Sequence, residues 1–269
     1  MSYEKELDFA KSLALEAGGI MKRYFRAEDI GTEWKKDNTP LTVADTQVND
    51  LVIKKVKEYF PDHGVIGEEN SFETKRNFVW VVDPIDGTVP FSLGMPISTF
   101  SIGLVDRSDG QSVLGVAYDP QLDRLYTSVR GCGAFLNDIR IKTAKNTDLE
   151  RTYVSILSGL VKGDKDHSIF KPGHCLDIIR GQGANCFSVM SQVYFASRVA
   201  SGELVGSIFG YGSPWDSAAV SLLVEEAGGI VTDLRGNKRR FDQFGDGCLL
   251  SANESIHLLL LDAVKRSTP

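Results

Sequence analysis

The 269-residue sequence lacks most features that declare a function early. It has only four cysteines, Cys132, Cys175, Cys186 and Cys248, scattered without a C-x-x-C pair. That argues against a cysteine-built zinc site and fits reduced thiols in a cytoplasm better than a disulfide framework. Histidine is equally sparse: His167 and His174 lie near each other in a polar stretch and are read as ordinary surface residues. No apolar run reaches membrane-spanning length. The opening MSYEKELDFAKSLALEAGG mixes acids with bases where a signal peptide would carry an uninterrupted apolar core. There is no low-complexity tract and no internal repeat. Net charge is 30 − 36 = −6 with the signs mixed, so no basic stripe points to nucleic acid. Lys238-Arg239-Arg240 is one short positive cluster, read as a solvated loop. Neither G-x-x-x-x-G-K-[ST] nor G-x-S-x-G occurs.

What the chain does have is 42% hydrophobic residues, enough for a large core in one big domain or two smaller ones. Leu7, Ala10, Ala14, Ala17, Met21 and Tyr24 recur at helical spacing. Residues 26–45 read as a polar loop, containing Lys36-Asp37-Asn38-Thr39-Pro40. A second helix carries Val48, Leu51, Val52, Val56 and Tyr59 and stops at Phe60-Pro61. A short strand at Val65–Gly67 leads to Glu68-Glu69. Strands then follow one another at 78–82, 98–105, 112–118 and 125–129, which predicts an antiparallel sheet. After about residue 150 strands alternate with helices: strands at 153–157, 204–209 and 230–232, helices near 176–180, 189–200, 217–227 and 255–264. The expectation is an α+β / α/β fold of two helix-covered sheets, with an N-terminal half over 1–145 and a C-terminal half over 146–269.

The most informative stretch is FVWVVDPIDGTVPF, residues 78–91, where an apolar strand ends in Asp83 and Asp86. In an extended chain these side chains would point to opposite faces. Pro84 removes a ladder donor and predicts an end to regular pairing, so the chain can bend and the two carboxylates converge, with the Ile85 carbonyl turned toward them. Two carboxylates about 4 Å apart repel by roughly 4 kcal/mol at an effective dielectric near 20, and a divalent cation reverses that sign. Hard oxygen ligands suit Mg²⁺ or Mn²⁺ better than zinc. Gly87 permits close backbone approach, and Thr88-Val89-Pro90 reads as a first helical turn whose free amides could seat a phosphate. Taken singly, an aspartate before proline is a turn former and Asp86 a helix cap; it is the combination that points to metal and phosphate. Aspartyl-phosphate phosphatases of the haloacid dehalogenase type use D-x-D-x-T, whereas these aspartates are three apart, which favours water as the attacking group. Farther on, Asp216 opens an amphipathic helix with Ala219, Leu222, Leu223 and Ala227 on one face, where a plain N-cap is the simple reading.

Together, Gly67-Glu68-Glu69, Trp80–Thr88, Pro214-Trp215-Asp216-Ser-Ala-Ala219 and Glu225–Gly229 resemble, in order, the motifs of the inositol monophosphatase family. The 37–45 stretch, D-x-T-P-x-T-x-A-D, is similar to a loop of its bacterial branches. The resemblance implies a layered αβαβα sandwich and two or three Mg²⁺ ions. One ion would be held by Glu68, Asp83 and the Ile85 carbonyl, a second by Asp83, Asp86 and Asp216, and a third, weaker one near Glu68. It also implies that a metal-activated water, oriented by Thr88 with Asp45 as its hydrogen-bond partner, attacks phosphorus, with the Gly87 and Thr88 amides on the phosphate. Family members are usually homodimers.

The substrate side departs from the inositol pattern. Phe209 stands where the family commonly has a sugar-binding Glu, Met190-Ser191-Gln192-Val193 replaces a small-residue run, and Pro90 replaces Asn. Losing a hydroxyl acceptor can change discrimination by orders of magnitude. Ser191, Phe209, Asp86 and Asp216 are therefore expected to line the substrate wall of a small phosphorylated alcohol. Inositol phosphate, histidinol phosphate, a sugar bisphosphate and a 3′-phosphoadenosine nucleotide are the candidates. Association with the transcription machinery, known among bacterial relatives, is the rival reading, and the intact acidic set argues against it.

Overall fold

The computed structural model describes residues 3–27, 31, 33–34, 40–157 and 170–268. Residues 35–39, which hold Asp37 to Thr39 of the D-x-T-P stretch, and His167 lie outside the described residues. The chain opens with α1 (Glu4–Tyr24), a two-stranded ribbon β1 (Glu33–Trp34) and β2 (Pro40–Leu41), and α2 (Val43–Tyr59). Each helix buries one stripe at helical spacing: Ala10, Leu13, Ala14, Ala17 and Met21 on α1, and Ala44, Val48, Val52 and Val56 on α2. Both stripes lie on a seven-stranded sheet.

That sheet runs in strand order β3 (Gly64–Gly67), β4 (Phe78–Asp86), β5 (Thr99–Asp106), β6 (Gln111–Asp119), β7 (Arg124–Val129), β8 (Gly133–Leu136) and β9 (Ile139–Arg140), with a short helix α3 (Thr88–Ser92) after β4. Only β3 and β4 pair in parallel; the rest is an antiparallel meander. The valine-rich run of β4 is buried on both faces: Trp80 and Val82 pack toward α1 and α2, Val79 and Val81 toward the other side.

The second sheet draws on β10 (Tyr153–Leu157), β11 (Asn185–Phe187), β12 (Gly206–Phe209), β13 (Ile230–Thr232) and β14 (Cys248–Ser251), in the order β11-β10-β12-β14-β13. It is mixed: β10 is parallel to both neighbours and β14 antiparallel to both of its own. Helices α5 (Gln192–Ala200) and α6 (Ala218–Glu226) fill the space between the sheets, where Val193, Val199, Val220 and Leu223 meet Ala117 and Tyr126 from one sheet and Leu250 from the other. Helices α4 (Pro172–Gly181) and α7 (Glu254–Ser267) close the far face. The result is the expected αβαβα order of layers.

Three expectations need correction. The 26–45 stretch does not stay irregular up to Asp45, because α2 starts at Val43 and Asp45 sits in its first turn. Regular pairing does not end at Val82, since β4 resumes it at Asp86. The positive cluster is not a solvated loop throughout: Arg239 is 6% exposed, and Arg240 is tied to Asp242. Strands β8, β9, β11 and β14 escaped the sequence reading; they are two to four residues long, too short for alternation to register.

Candidate metal centre

The irregularity in β4 assembles the acidic pair. Against β5, Asp83 pairs with Ser101 and Asp86 with Thr99, so three residue steps on one strand answer two on the other. The one extra residue is a β-bulge. Regular pleating would send Asp83 and Asp86 to opposite faces, and the bulge returns Asp86 to the face of Asp83. This is the face of Val79 and Val81, which looks toward α6.

Asp216, just ahead of α6, completes the group: one carboxylate oxygen from each of Asp83, Asp86 and Asp216 lies within 4.8 Å of the others. Asp83 and Asp86 are 2% exposed and Asp216 9%. Burial pushes the Asp83 carboxyl well above its ordinary range, and the charges of Glu68, Asp86 and Asp216 push it further. Burial also raises Asp216, followed by Glu68 and Asp86. Asp83 Oδ1 is buried with no hydrogen-bond partner. A buried, unpartnered carboxylate oxygen facing two other acids is costly unless a cation answers it. All of these are hard oxygen donors, so the set fits a Mg²⁺-class ion.

Asp86 has a second attachment. It accepts hydrogen bonds from Ser191 Oγ, the Gln192 amide at 2.7 Å and the Tyr194 amide at 3.1 Å, which are the free donors at the start of α5. Ser191 is the N-cap residue of that helix, yet its hydroxyl turns to Asp86. These bonds oppose burial, and the Asp86 pKa stands at about 6. Asp216 is not the N-cap of α6, contrary to the simple reading; Ser217 holds that position. The Asp216 carboxylate instead accepts from Gln192 Nε2 at 3.4 Å.

Thr88, Asp45 and Ile85 meet beside the trio. Thr88 Oγ1 lies 3.0 Å from the Ile85 carbonyl and 3.3 Å from Asp45 Oδ1. Asp45 Oδ2 accepts from the Thr42 amide at 2.8 Å and the Thr42 hydroxyl at 2.6 Å, bracing the first turn of α2. Burial raises the Asp45 pKa to about 7 despite the Thr42 bonds, and the charges of Glu68 and Glu69 add to the rise. Glu68 follows β3, its amide bonded to the Val82 carbonyl at 3.2 Å. It stands outside the trio, and its charge is the largest electrostatic influence on Asp83 and Asp216. Gly87 has φ +83°, and a Cβ there would lie 2.7 Å from the Ile97 carbonyl oxygen and 2.9 Å from the Ser191 side chain. Only glycine lets this turn lie so close to Ser191.

Phe209 does not join this group. It is 1% exposed and packed in the core between the sheets, so its ring offers no wall to a solute. The inward side of β12 at this register faces the α5 and α6 layer, and an aromatic ring there is packing. The sequence reading assigned no role to Tyr194 or Thr42. The T-x-x-D spacing of Thr42 and Asp45 is a capping-box signal that could have marked the second; nothing local marks the first.

The model of the inositol monophosphatase family matches residues 2–268. A histidinol-phosphatase of Chlorobaculum parvum is 33% identical over 268 residues, covering 96% of this chain and 96% of that protein. A Nus factor SuhB of Xylella fastidiosa is 31% identical over 242 residues, covering 89% and 86%. Among solved structures, an IMPase from Thermotoga maritima superposes with a TM-score of 0.86 at 27% identity, covering 98% of each chain.

Proposed function

The chain belongs to the inositol monophosphatase family and is a phosphoric monoester hydrolase, and from that premise we propose that it hydrolyses a small phosphorylated alcohol with Mg²⁺. The observation that carries this reading is the buried trio Asp83, Asp86 and Asp216 with an unpartnered oxygen on Asp83. Asp83, Asp86 and Asp216 would hold the metal, with Glu68 and the Ile85 carbonyl contributing to a further ion; Mn²⁺ is the expected substitute. Bound there, divalent ions supply neutralisation of phosphoryl charge and acidification of water.

The chain's own groups supply the rest. Asp45 Oδ1 can take the hydroxyl hydrogen of Thr88, which leaves a lone pair on Thr88 Oγ1 free to accept from an attacking water. With its Oδ2 held by Thr42, Asp45 keeps Oδ1 turned to Thr88 and can accept that proton as the water loses one. Gly87 keeps side-chain bulk out of the gap between this turn and Ser191. Asp86 and Ser191 anchor the start of α5, so that helix is set before substrate arrives. Phosphate monoester hydrolysis is among the slowest uncatalysed reactions, so positioning and charge neutralisation must furnish nearly all of the rate.

The substrate in this reading is a phosphate ester of the inositol-1-phosphate class. Histidinol phosphate, fructose 1,6-bisphosphate and 3′-phosphoadenosine nucleotides are the alternatives, because a buried phenyl ring at Phe209 supplies no hydroxyl acceptor. A homodimer and a cytoplasmic location complete the proposal. Among the described residues no helix is long and apolar enough to cross a membrane, and the four cysteines are free thiols. The match to a Nus factor SuhB favours a second reading, association with the transcription machinery. Phosphate release from a panel of these esters, with Mg²⁺ and then with chelator, tests the first. Chelator-sensitive release from one ester is the expected result. No release from any ester with Mg²⁺ would leave only the second.

A further inference from the structure

The segment that delivers Asp216 is stitched to a second loop by one buried cation. Between β12 and Asp216 the chain passes Gly212 and Ser213, and between β13 and β14 it passes Arg239 and Gly245–Gly247. The two loops touch backbone to backbone: the Gly245 amide donates to the Gly212 carbonyl at 2.9 Å. A Cβ on Gly212 would fall 1.8 Å from the Gly245 carbonyl oxygen, so nothing larger than glycine allows the approach. The Arg239 guanidinium closes the seam. Its Nη2 donates to the same Gly212 carbonyl at 3.0 Å and its Nη1 to the Gly247 carbonyl at 2.7 Å, while Nε reaches the Arg240 carbonyl at 3.4 Å. From the Gly212 end the Asp216 turn is then fixed by Ser217 Oγ, which donates to the Ser213 carbonyl at 3.0 Å, and by the Ala218 amide, which donates to the Pro214 carbonyl at 2.8 Å.

Arg239 is unusual for a buried cation. Among the described residues it forms no ion pair, whereas its neighbour Arg240 is paired with Asp242. Buried charges are ordinarily paired. Here the planar fork spans two carbonyls on different loops, a task its geometry suits and an ammonium's does not. Its charge acts on the Asp216 carboxyl and on the Cys248 thiol.

We propose that Arg239 is a positioning residue for the metal centre: its guanidinium fork clamps the Gly212 and Gly247 loops together and so fixes where Asp216 stands. The inference rests on the reading of Asp216 as a metal ligand. It makes an unusual demand on charge. Removing a cation near a cation site should tighten metal binding if charge alone mattered. If the clamp matters, removal weakens binding because the ligand is no longer held.

The test is Mn²⁺ affinity by titration calorimetry on the full chain, below the unfolding temperature, with melting in chelator measured alongside. Arg239→Met and Arg239→Lys are compared with the wild type and with Arg240→Met. The clamp predicts that both Arg239 variants bind Mn²⁺ about tenfold to a hundredfold more weakly, the usual cost of losing a group that orients a ligand. Arg239→Lys should fail although it keeps the charge, and Arg240→Met should match the wild type. Wild-type affinity in Arg239→Lys, or tighter binding in Arg239→Met, overturns the proposal. A lowered melting point with unchanged affinity also overturns it, by reducing Arg239 to a packing residue. Should Arg239→Met not fold, Arg239→Lys decides alone. Failure of the wild type itself to bind Mn²⁺ would instead remove the metal reading of Asp216 on which the clamp depends.

Discussion

Replacing Asp83 by Asn should make the metal-free protein more stable and the metal-loaded protein less so. Each pair in the trio has oxygens within 4.8 Å, which at an effective dielectric near 20 corresponds to about 3 kcal/mol of repulsion per ionised pair. Asp83 takes part in two such pairs, and its Oδ1 has no hydrogen bond to lose. Part of the repulsion is already relieved by proton uptake, since burial and neighbouring acids raise these carboxyls. A net gain of about 2–3 kcal/mol remains for the neutral, nearly isosteric amide. In a chain of this size about 1 kcal/mol shifts the melting temperature by roughly 2–4 °C. The variant should therefore melt about 4–12 °C above the wild type in chelator. Mg²⁺ at a thousand times its Kd should invert the order, since it adds about 4.1 kcal/mol to the wild type and the variant loses most of that. Differential scanning calorimetry in chelator and in Mg²⁺ reads both arms. A variant that melts below the wild type in chelator would refute the reasoning, because the three acids would then not be in mutual repulsion.

Other expectations follow from the same geometry. In chelator, wild-type stability should fall as pH rises. The folded-state pKa values of Asp86 and Asp45, about 6 and about 7, exceed the ordinary 3.8. The folded state therefore binds the extra protons, and their stabilisation is full below about pH 4 and lost as pH climbs through 6 and 7; melting curves from pH 5 to 8 that rise instead would contradict it. Thr88→Ala should cut phosphate release by about a hundredfold or more and leave Mn²⁺ affinity near that of the wild type; equal losses in both would assign Thr88 to metal binding. Asp86→Asn should abolish turnover and also lower the melting point in Mg²⁺ by a few degrees, since its carboxylate holds the start of α5. Phe209→Leu should cost about 1 kcal/mol of stability and leave the ranking of phosphate esters unchanged; a new ranking would mean the ring faces substrate after all.

Much of the fold was readable because its signals are local. Helical stripes in α1 and α2, the valine run of β4 and the glycine-bounded strands of the meander each carry their pattern within a dozen residues. The D-P-I-D-G-T turn was readable for the same reason, as proline, glycine and two acids declare a bend wherever they sit. What stayed hidden is non-local. Asp86 holds the amides of Gln192 and Tyr194, more than a hundred positions away, and no local spacing encodes that meeting. Phe209 was misjudged because a family comparison identifies the residue at a position but not which way this chain's layers press it. Arg239 looked solvated because neighbouring charges usually are. Its burial depends on carbonyls of two glycine loops that only the folded sheet brings together.

The odd residue in β4 makes the spacing between Asp83 and Asp86 a question of parity. Flattening the bulge at constant length would turn Asp86 toward the tryptophan side of the sheet, among apolar neighbours under α1 and α2, whereas losing the extra residue would restore even pleating and leave both acids on one face. One residue inserted beside the retained bulge would also turn Asp86 to that side, while two would preserve the side and lose only the distance. A single insertion at this point is thus all-or-none in the face that Asp86 takes, unlike one in a surface loop, and drift can alter the letters between the two acids far more freely than it can add one.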